Sequence, residues 1–418
     1  MTFFDYKSAT EETARAFATS ASLDQLDVSN HFLFQSDAHW PLFKRLRQDD
    51  PVHFHSDSRY GPYWSVTSHE AIKDIEADHH RFSSEPSITI VDTPGASSTA
   101  FISMDQPRHD EQRRTVAPVV APPNLAKMES LIRGRVEDIL DNLPIGEEFN
   151  WVQRVSIELT TRMLATLFDF PYEERSKLTY WSDVGVMGPR SGYVDSWEEA
   201  QIELQNCLAY FQELRKKRVN PEHEGFDLLT MLAQNPDTRD MGPDEFLGNL
   251  MLLIVGGNDT TRNSISGGVL ALNQFEDQYR KLRANPSLIP NMVSEIIRWQ
   301  TPLAHMRRTA KVDMEFRGKS IKAGDKVVMW YVSGNRDERV FENANKLIID
   351  RPNARQHVSF GFGIHRCMGN RLAEMQLRIL WEEILRRFHK VEVVGEPVRI
   401  MSNFVKGYAE LPVILHPK

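Results

Sequence analysis

Ten residues constrain this chain more than any others: Phe360-Gly361-Phe362-Gly363-Ile364-His365-Arg366-Cys367-Met368-Gly369. Glycines alternate with aromatic residues and lead to a cysteine. Directly afterwards apolar residues recur at helical spacing, at Ala373, Leu377, Leu380, Ile384 and Phe388. The spacing predicts a helix, so Cys367 falls where a loop turns into it. Backbone N–H groups at a helix start favour a thiolate over a thiol. A thiolate held there can ligate a metal from one side, and the glycines let something flat and bulky approach the backbone. The competing reading is a buried free cysteine after a turn, which is how cysteine usually serves a reduced protein.

Only one other cysteine exists, Cys207, so a disulfide framework is excluded and a reducing compartment fits. Fifty basic residues stand against 58 acidic ones, a net charge of −8, which argues against non-specific nucleic-acid binding. The first thirty residues are polar and mixed in charge. They hold no signal-peptide core and no apolar span of about 20 residues. The expectation is a chain without a membrane anchor, located in the cytoplasm. No linker, fixed-period repeat or low-complexity segment appears, so 1–418 reads as a single large domain.

Strand signals are few. Val52-His53-Phe54 and Trp64-Ser65-Val66-Thr67, separated by Gly61-Pro62, read as a hairpin. Residues 313–332 alternate and turn at Gly318 and Gly324, a small sheet, and Phe404 to Leu415 reads as a final hairpin in a β-rich stretch over 390–418. Residues 83–104 read as a long loop. From Asn124 to about Asp237 the pattern is helical, broken at Pro144 and Gly146, at Pro171, and between Gly185 and Gly192. Pro243, a first-turn proline, opens a helix running to about Asn273, roughly 45 Å long. The β-rich parts lie near 50–70, 313–332 and 390–418. The fold class is mainly α with small β-sheets.

Two further patterns carry chemistry. Val255-Gly256-Gly257-Asn258-Asp259-Thr260-Thr261 lies inside the long helix. Interior glycines cost about 1 kcal/mol each in a helix, and threonine can bond back to the carbonyl four residues earlier and bend it. Either this is a kinked core helix or the disruption serves a site. Glu295 and Arg298 stand at i,i+3 on one helical face; alone, such a pair is a weak surface salt bridge.

Phe-x-x-Gly-x-x-x-Cys-x-Gly, ending at Gly369, resembles the haem-binding loop of the cytochromes P450, and the likeness extends over nearly the whole chain. The resemblance implies the cytochrome P450 fold in a single domain, a haem b cofactor and a monooxygenase reaction with O2. It makes Cys367 the axial iron ligand, with Phe360 and His365 also at the cofactor. Asp259 would feed protons inward and Thr260 would hydrogen-bond dioxygen, with the glycines making room. His109, Arg113, Arg308 and His365 would meet the haem propionates, Arg307 being able to replace Arg308. Arginine binds carboxylates bidentately, which favours the two arginines. Glu295 and Arg298 would lock to Arg351 and hold the core, a structural role.

Within that family the segments Leu252–Ser264, Pro302–Ala310 and His365–Glu374 resemble soluble bacterial alkane hydroxylases, which oxidise the terminal carbon of medium-chain alkanes and fatty acids. Ile88, Val91, Leu252, Val255, Gly256, Leu303, Ala304, Phe404 and Val405 are the expected substrate-lining residues, and their apolar character implies an apolar substrate. The alternatives are a terpenoid, steroid or other bulky hydrophobe, a peroxide-driven peroxygenase, or a haem protein that transfers electrons or senses gas. The last two do not need the acid–alcohol pair. Electrons must come from outside, since no Gly-x-Gly-x-x-Gly is present. An iron–sulfur ferredoxin and its NAD(P)H-dependent reductase are implied, docking at Arg113, Arg114, Arg355, Arg366 and Arg371.

Overall fold

Strand signals early in the chain pair with strand signals late in it, and helices fill most of the rest. The structure, a computed structural model, describes residues 4–92, 99–220 and 222–418. It divides into two compact units: Met1–Ser97, Gly267–Cys367 and Glu396–Glu410 form the first, and Ser98–Ser266, Met368–Gly395 and Leu411–Lys418 the second. One division falls inside the long helix and another directly after Cys367.

In the first unit a five-stranded sheet joins, in order, Val52–His55, Tyr63–Val66, Lys326–Met329, Met306–Ala310 and Phe82–Ser83. The first two strands are the anticipated hairpin, Val52 opposite Val66 and His55 opposite Tyr63. Side chains alternate across a strand. Val327 and Met329 therefore enter one core with Val66, Ile72, Ile75 and Phe82, while Val328 and Trp330 enter another with Phe34, Phe43 and Ala304. A strand buried on both faces reads as a continuous apolar run. The expected sheet over 313–332 splits in three. Met314–Phe316 and Lys319–Ile321 form a hairpin, Lys326–Met329 joins the larger sheet, and Tyr331–Gly334 is a helical turn. Arg317 (φ 51°) and Gly318 (φ 77°) make the hairpin's two-residue turn, which needs positive φ at both positions. Helix Ile289–Gln300 stops at Thr301, in the left-handed conformation with φ 44°, and Pro302 cannot continue it.

In the second unit helices Pro122–Asp141 and Asn370–Arg387 pack along each other. Leu377, Leu380 and Ile384 are buried as their spacing predicts. Phe388 is not helical; it opens the strand Phe388–Val393. Arg133 reaches Glu382 and Glu383, both at 2.6 Å, and Arg378 reaches Glu129 at 2.8 Å, so ion pairs run along the seam. The long helix spans Pro243–Gln274. Among the described residues no helix is long and apolar enough to cross a membrane.

The final hairpin does not form. Tyr408–Glu410 pairs with Val398–Arg399, and Pro412–Pro417 pairs with Phe388–Val393 and Glu148–Asn150. With only Leu411 between them the two strands have no turn in which to fold back, so each takes another partner. Within the expected loop, Phe82–Ser83 pairs with Thr309–Ala310 and Phe101–Ser103 is a short 3-10 turn. Residues 93–98 of that loop lie outside the described residues.

Candidate functional site

The cysteine loop is closed by its own backbone. The Gly361 N–H donates to the Val358 carbonyl at 2.8 Å, and the Cys367 N–H donates to Phe360 at 2.8 Å. Gly361 (φ 66°) and Gly363 (φ 67°) are both left-handed. A Cβ on Gly363 would stand 2.1 Å from the carbonyl oxygen of Glu76, backbone against backbone, so only glycine fits. The helix follows at Asn370. Cys367 is exposed, whereas Cys207 is fully buried and burial pushes its thiol up. Of the two, Cys367 is the one whose sulfur a metal can reach.

Glu76 is buried behind this loop. Arg308 donates to it at 3.1 Å and the Tyr331 hydroxyl donates to its other oxygen. Strand alternation separates Arg308 from Arg307, whose guanidinium pairs instead with Asp92, as Lys326 does at 2.7 Å. Through Glu76, Arg308 rather than Arg307 belongs beside the cysteine loop. His365 Nε2 lies 2.9 Å from the Ser84 hydroxyl, and Phe360 is half-buried against His357. An exposed thiol at the end of the loop and a guanidinium held near it through Glu76 fit an anionic, thiolate-ligated group. In the second unit His109 is buried with Nδ1 on Asp110 at 2.7 Å, and Arg113 is half-buried one turn further along the same helix.

Glu295 and Arg298 are not a surface pair. Both side chains are 0% exposed and they bond in bidentate fashion, Nε and Nη2 each 2.7 Å from a carboxylate oxygen. Arg351 Nε adds 3.1 Å contacts to both oxygens. Arg298 also donates to the carbonyls of Asn335 (2.7 Å) and Ala344 (2.8 Å). The two guanidiniums share one carboxylate and their remaining donors are satisfied, the condition for a tolerable buried ion cluster.

The two glycines of the long helix do different things. A Cβ on Gly257 would meet Leu164 at 2.7 Å, so this glycine permits close helix packing. A Cβ on Gly256 would meet nothing within 4 Å, so this one borders open space. Thr260 donates its hydroxyl to the Gly256 carbonyl at 3.0 Å. Leu252 and Val255 are half-buried on the same stretch. Asp259 is buried, bonded to Arg262 at 2.8 Å and within 3.4 Å of the Ser182 hydroxyl. Arg262 also holds Asp183 at 2.7 Å. Burial, then the neighbouring Asp183, push the Asp259 carboxyl up to about 6 against the pull of Arg262. An acid with that proton affinity can hold and release a proton near neutrality.

Three of the expected substrate-lining segments meet in the first unit. The Arg307 N–H donates to Ile88 at 2.8 Å, the Ala304 N–H donates to Phe404 at 2.7 Å, and Leu303 bridges Val405. Ile88, Leu303 and Phe404 are half-buried. Ala304 and Val405 are buried; Ala304 packs in the core beside Trp330, while Val91 stands 46% exposed. Arg114, Arg355, Arg366 and Arg371 are exposed.

Sequence reasoning missed Glu76 and Tyr331 around Arg308, and Arg262, Asp183 and Ser182 around Asp259. Arg262 had a signal, its i,i+3 spacing from Asp259. The others come from distant segments and had none.

The pattern of the cytochrome P450 family matches residues 191–409. Among solved structures, cytochrome P450-153 from Novosphingobium aromaticivorans has 47% identity and a TM-score of 0.87, covering 94% of this chain and 99% of that one. Linalool 8-monooxygenase of Pseudomonas putida is 35% identical over 410 residues, 95% of this chain and 100% of that protein. Methyl-branched lipid omega-hydroxylase of Mycobacterium bovis is 30% identical over 405 residues, 93% of this chain and 94% of that protein. Likenesses that run the length of the chain, with the thiolate loop, define a haem-thiolate monooxygenase, an oxidoreductase that incorporates oxygen from O2. The chain belongs to the cytochrome P450 family.

Proposed function

We propose that this cytochrome P450 hydroxylates the terminal carbon of medium-chain alkanes or fatty acids. The observation that carries the reading is the seam of Ile88, Leu303 and Phe404, apolar side chains on segments stitched by short backbone hydrogen bonds. Such a wall favours an apolar substrate. The relative named methyl-branched lipid omega-hydroxylase supports it.

Cys367 would hold haem b, which would supply dioxygen activation and oxygen insertion into an unactivated C–H bond. Arg308 and His365 in the first unit, and His109 and Arg113 in the second, are the residues that would pair with its propionates. Asp259 would feed protons inward and Thr260 would hydrogen-bond dioxygen. In the structure that hydroxyl donates to the Gly256 carbonyl, so donating to dioxygen requires it to turn away from that carbonyl. Thr260→Ala is expected to keep consuming NADH through the redox partners while releasing peroxide in place of most of the alcohol. Asp259→Asn is expected to slow turnover. Peroxide and product assays check both, and unchanged coupling in Thr260→Ala removes the role assigned to that hydroxyl. A buried Asp259–Arg262–Asp183 cluster is costly to maintain, which speaks against a haem protein that only transfers electrons or senses gas.

Electrons come from an iron–sulfur ferredoxin and an NAD(P)H-dependent reductase in the cytoplasm, with exposed Arg355 and Arg366 among the docking candidates.

Terminal C–H bonds are stronger than internal ones, so the terminal alcohol requires that the protein present the methyl group alone. Orientation effects are large enough to override a bond-strength difference of a few kcal/mol. Leu303→Ala, and secondarily Phe404→Ala, is expected to leak reaction to internal carbons. Product analysis with octane and decanoic acid checks this. Mainly internal alcohols from the unaltered protein would sink the terminal claim. The relative named linalool 8-monooxygenase supports a second reading, a terpenoid substrate, which tight binding of a bulky terpenoid without binding of linear chains would establish.

A further inference from the structure

His305 lies in the middle of the seam just described and is 0% exposed. Its Nδ1 donates to the carbonyl of Asn403 at 2.8 Å, and its Nε2 accepts from the N–H of Ile90 at 3.1 Å. An acceptor on one side and a donor on the other fix a single neutral tautomer. Burial holds the ring in that form, its proton affinity lowered to about 4. The imidazole also packs edge-on against Phe404 and Trp330, ring centroids 5.3 and 4.9 Å away. Asn403 is anchored in turn, its amide donating to the Ser29 carbonyl at 2.6 Å. One rigid ring thus ties segment 88–90 to segment 403–404 across the chain that carries Leu303.

We infer that His305 is a positioning residue for specificity: through both ring nitrogens it holds Ile88, Leu303 and Phe404 in register and so sets the width of the apolar wall. The inference rests on the reading that these three side chains line the substrate site. The wall's side chains are apolar and cannot fix one another's positions by directional bonds. The backbone bonds at Ala304 and Arg307 hold neighbouring segments pairwise; the ring joins all three. His305→Phe keeps volume and ring contacts but leaves a buried N–H and a buried carbonyl unpaired. His305→Gln offers one donor and one acceptor on a longer stem. His305→Asn reaches the Asn403 carbonyl but is too short for Ile90.

The test measures, for the haem-loaded protein and these variants, the ratio of terminal to internal alcohols from octane and decanoic acid. It also measures dissociation constants, read at the haem, for octane, decanoic acid and camphor. His305→Phe is expected to lower the ratio and to narrow the preference between linear chain and camphor by about five- to tenfold. His305→Gln should restore much of both. A purely structural role would lower the melting temperature and leave ratio and preference alone, and that result overturns the inference. If His305→Phe gives no haem-loaded protein, Asn against Gln decides: a shift in Asn that Gln rescues supports the inference, and equal ratios overturn it. The underlying substrate reading fails separately, by the unaltered protein preferring camphor. A preference that still moves in His305→Phe then keeps the inference, and one that does not overturns it.

Discussion

Cys367→Ser is expected to lose the red-shifted Soret band of the ferrous carbon monoxide complex and all monooxygenase activity, while remaining folded. The band requires an electron-rich thiolate on the iron, and a serine hydroxyl stays protonated and is a poor ligand. No other thiol can take over, because Cys207 is fully buried and its thiol is pushed up by that burial. The fold should survive because backbone bonds close the loop. Its closing bond runs from the backbone N–H of Cys367 to Phe360, and the glycine conformations at 361 and 363 are untouched. A Cys→Ser change at an exposed position costs little stability. The measurement pairs the carbon monoxide difference spectrum with thermal unfolding. A variant that keeps the band would remove Cys367 as the ligand, and a variant that fails to fold would show that the side chain braces the loop.

How much of this was legible in the sequence depends on where the partners of each residue lie. The cysteine loop could be read because much of its constraint is local: Gly361 and Gly363 take the left-handed conformation and Cys367 closes back on Phe360, and spacing records that. The long helix was legible for the same reason, with its proline start and its interior glycines. The roles of those glycines were not, since Gly257 is explained by Leu164 on another helix and Gly256 by open space. Arg308 had to be weighed against Arg307 because adjacent arginines look alike in sequence. Only the strand, which sends them to opposite faces, and Glu76, 232 residues earlier, separate them. That strand, Met306–Ala310, was itself hidden, because two buried arginines mask its alternation. The misread hairpin at 404–415 has a similar origin. A glycine and two apolar runs suggest a turn, while the choice of partner for each run is made by strands at 148–150, 388–393 and 398–399.

Glu295→Ala is the change expected to damage the folded protein most. It removes one carboxylate and leaves two guanidiniums, Arg298 at 0% and Arg351 at 3% side-chain exposure, without their shared counter-charge. Breaking a buried pair in this way costs about 3–5 kcal/mol, against a total stability of about 5–15 kcal/mol for a folded protein. The Ile348 N–H, which Glu295 accepts at 2.9 Å, loses its partner too. The damage is not confined to the cluster. Arg298 holds the carbonyl of Asn335, and the Asn335 side chain accepts from the Val358 N–H and donates to the Ser359 hydroxyl, both at 2.8 Å. Those residues immediately precede Phe360, so loosening the cluster loosens the loop that presents Cys367. Haem loading should therefore fall before the chain unfolds globally, and excess haem should only partly restore it. Glu295→Gln keeps the shape and one acceptor but not the charge, and belongs between the two. The checks are haem content per chain and the urea midpoint of unfolding. A fully haem-loaded Glu295→Ala protein with an unchanged midpoint would mean that the two arginines are held by the surrounding carbonyls alone. Arg298 and Arg351 do reach several carbonyls, among them Asn335, Ala344 and Asn343. A carbonyl carries only a partial charge, though, and two full positive charges in a dry core are far costlier without the one full negative charge between them.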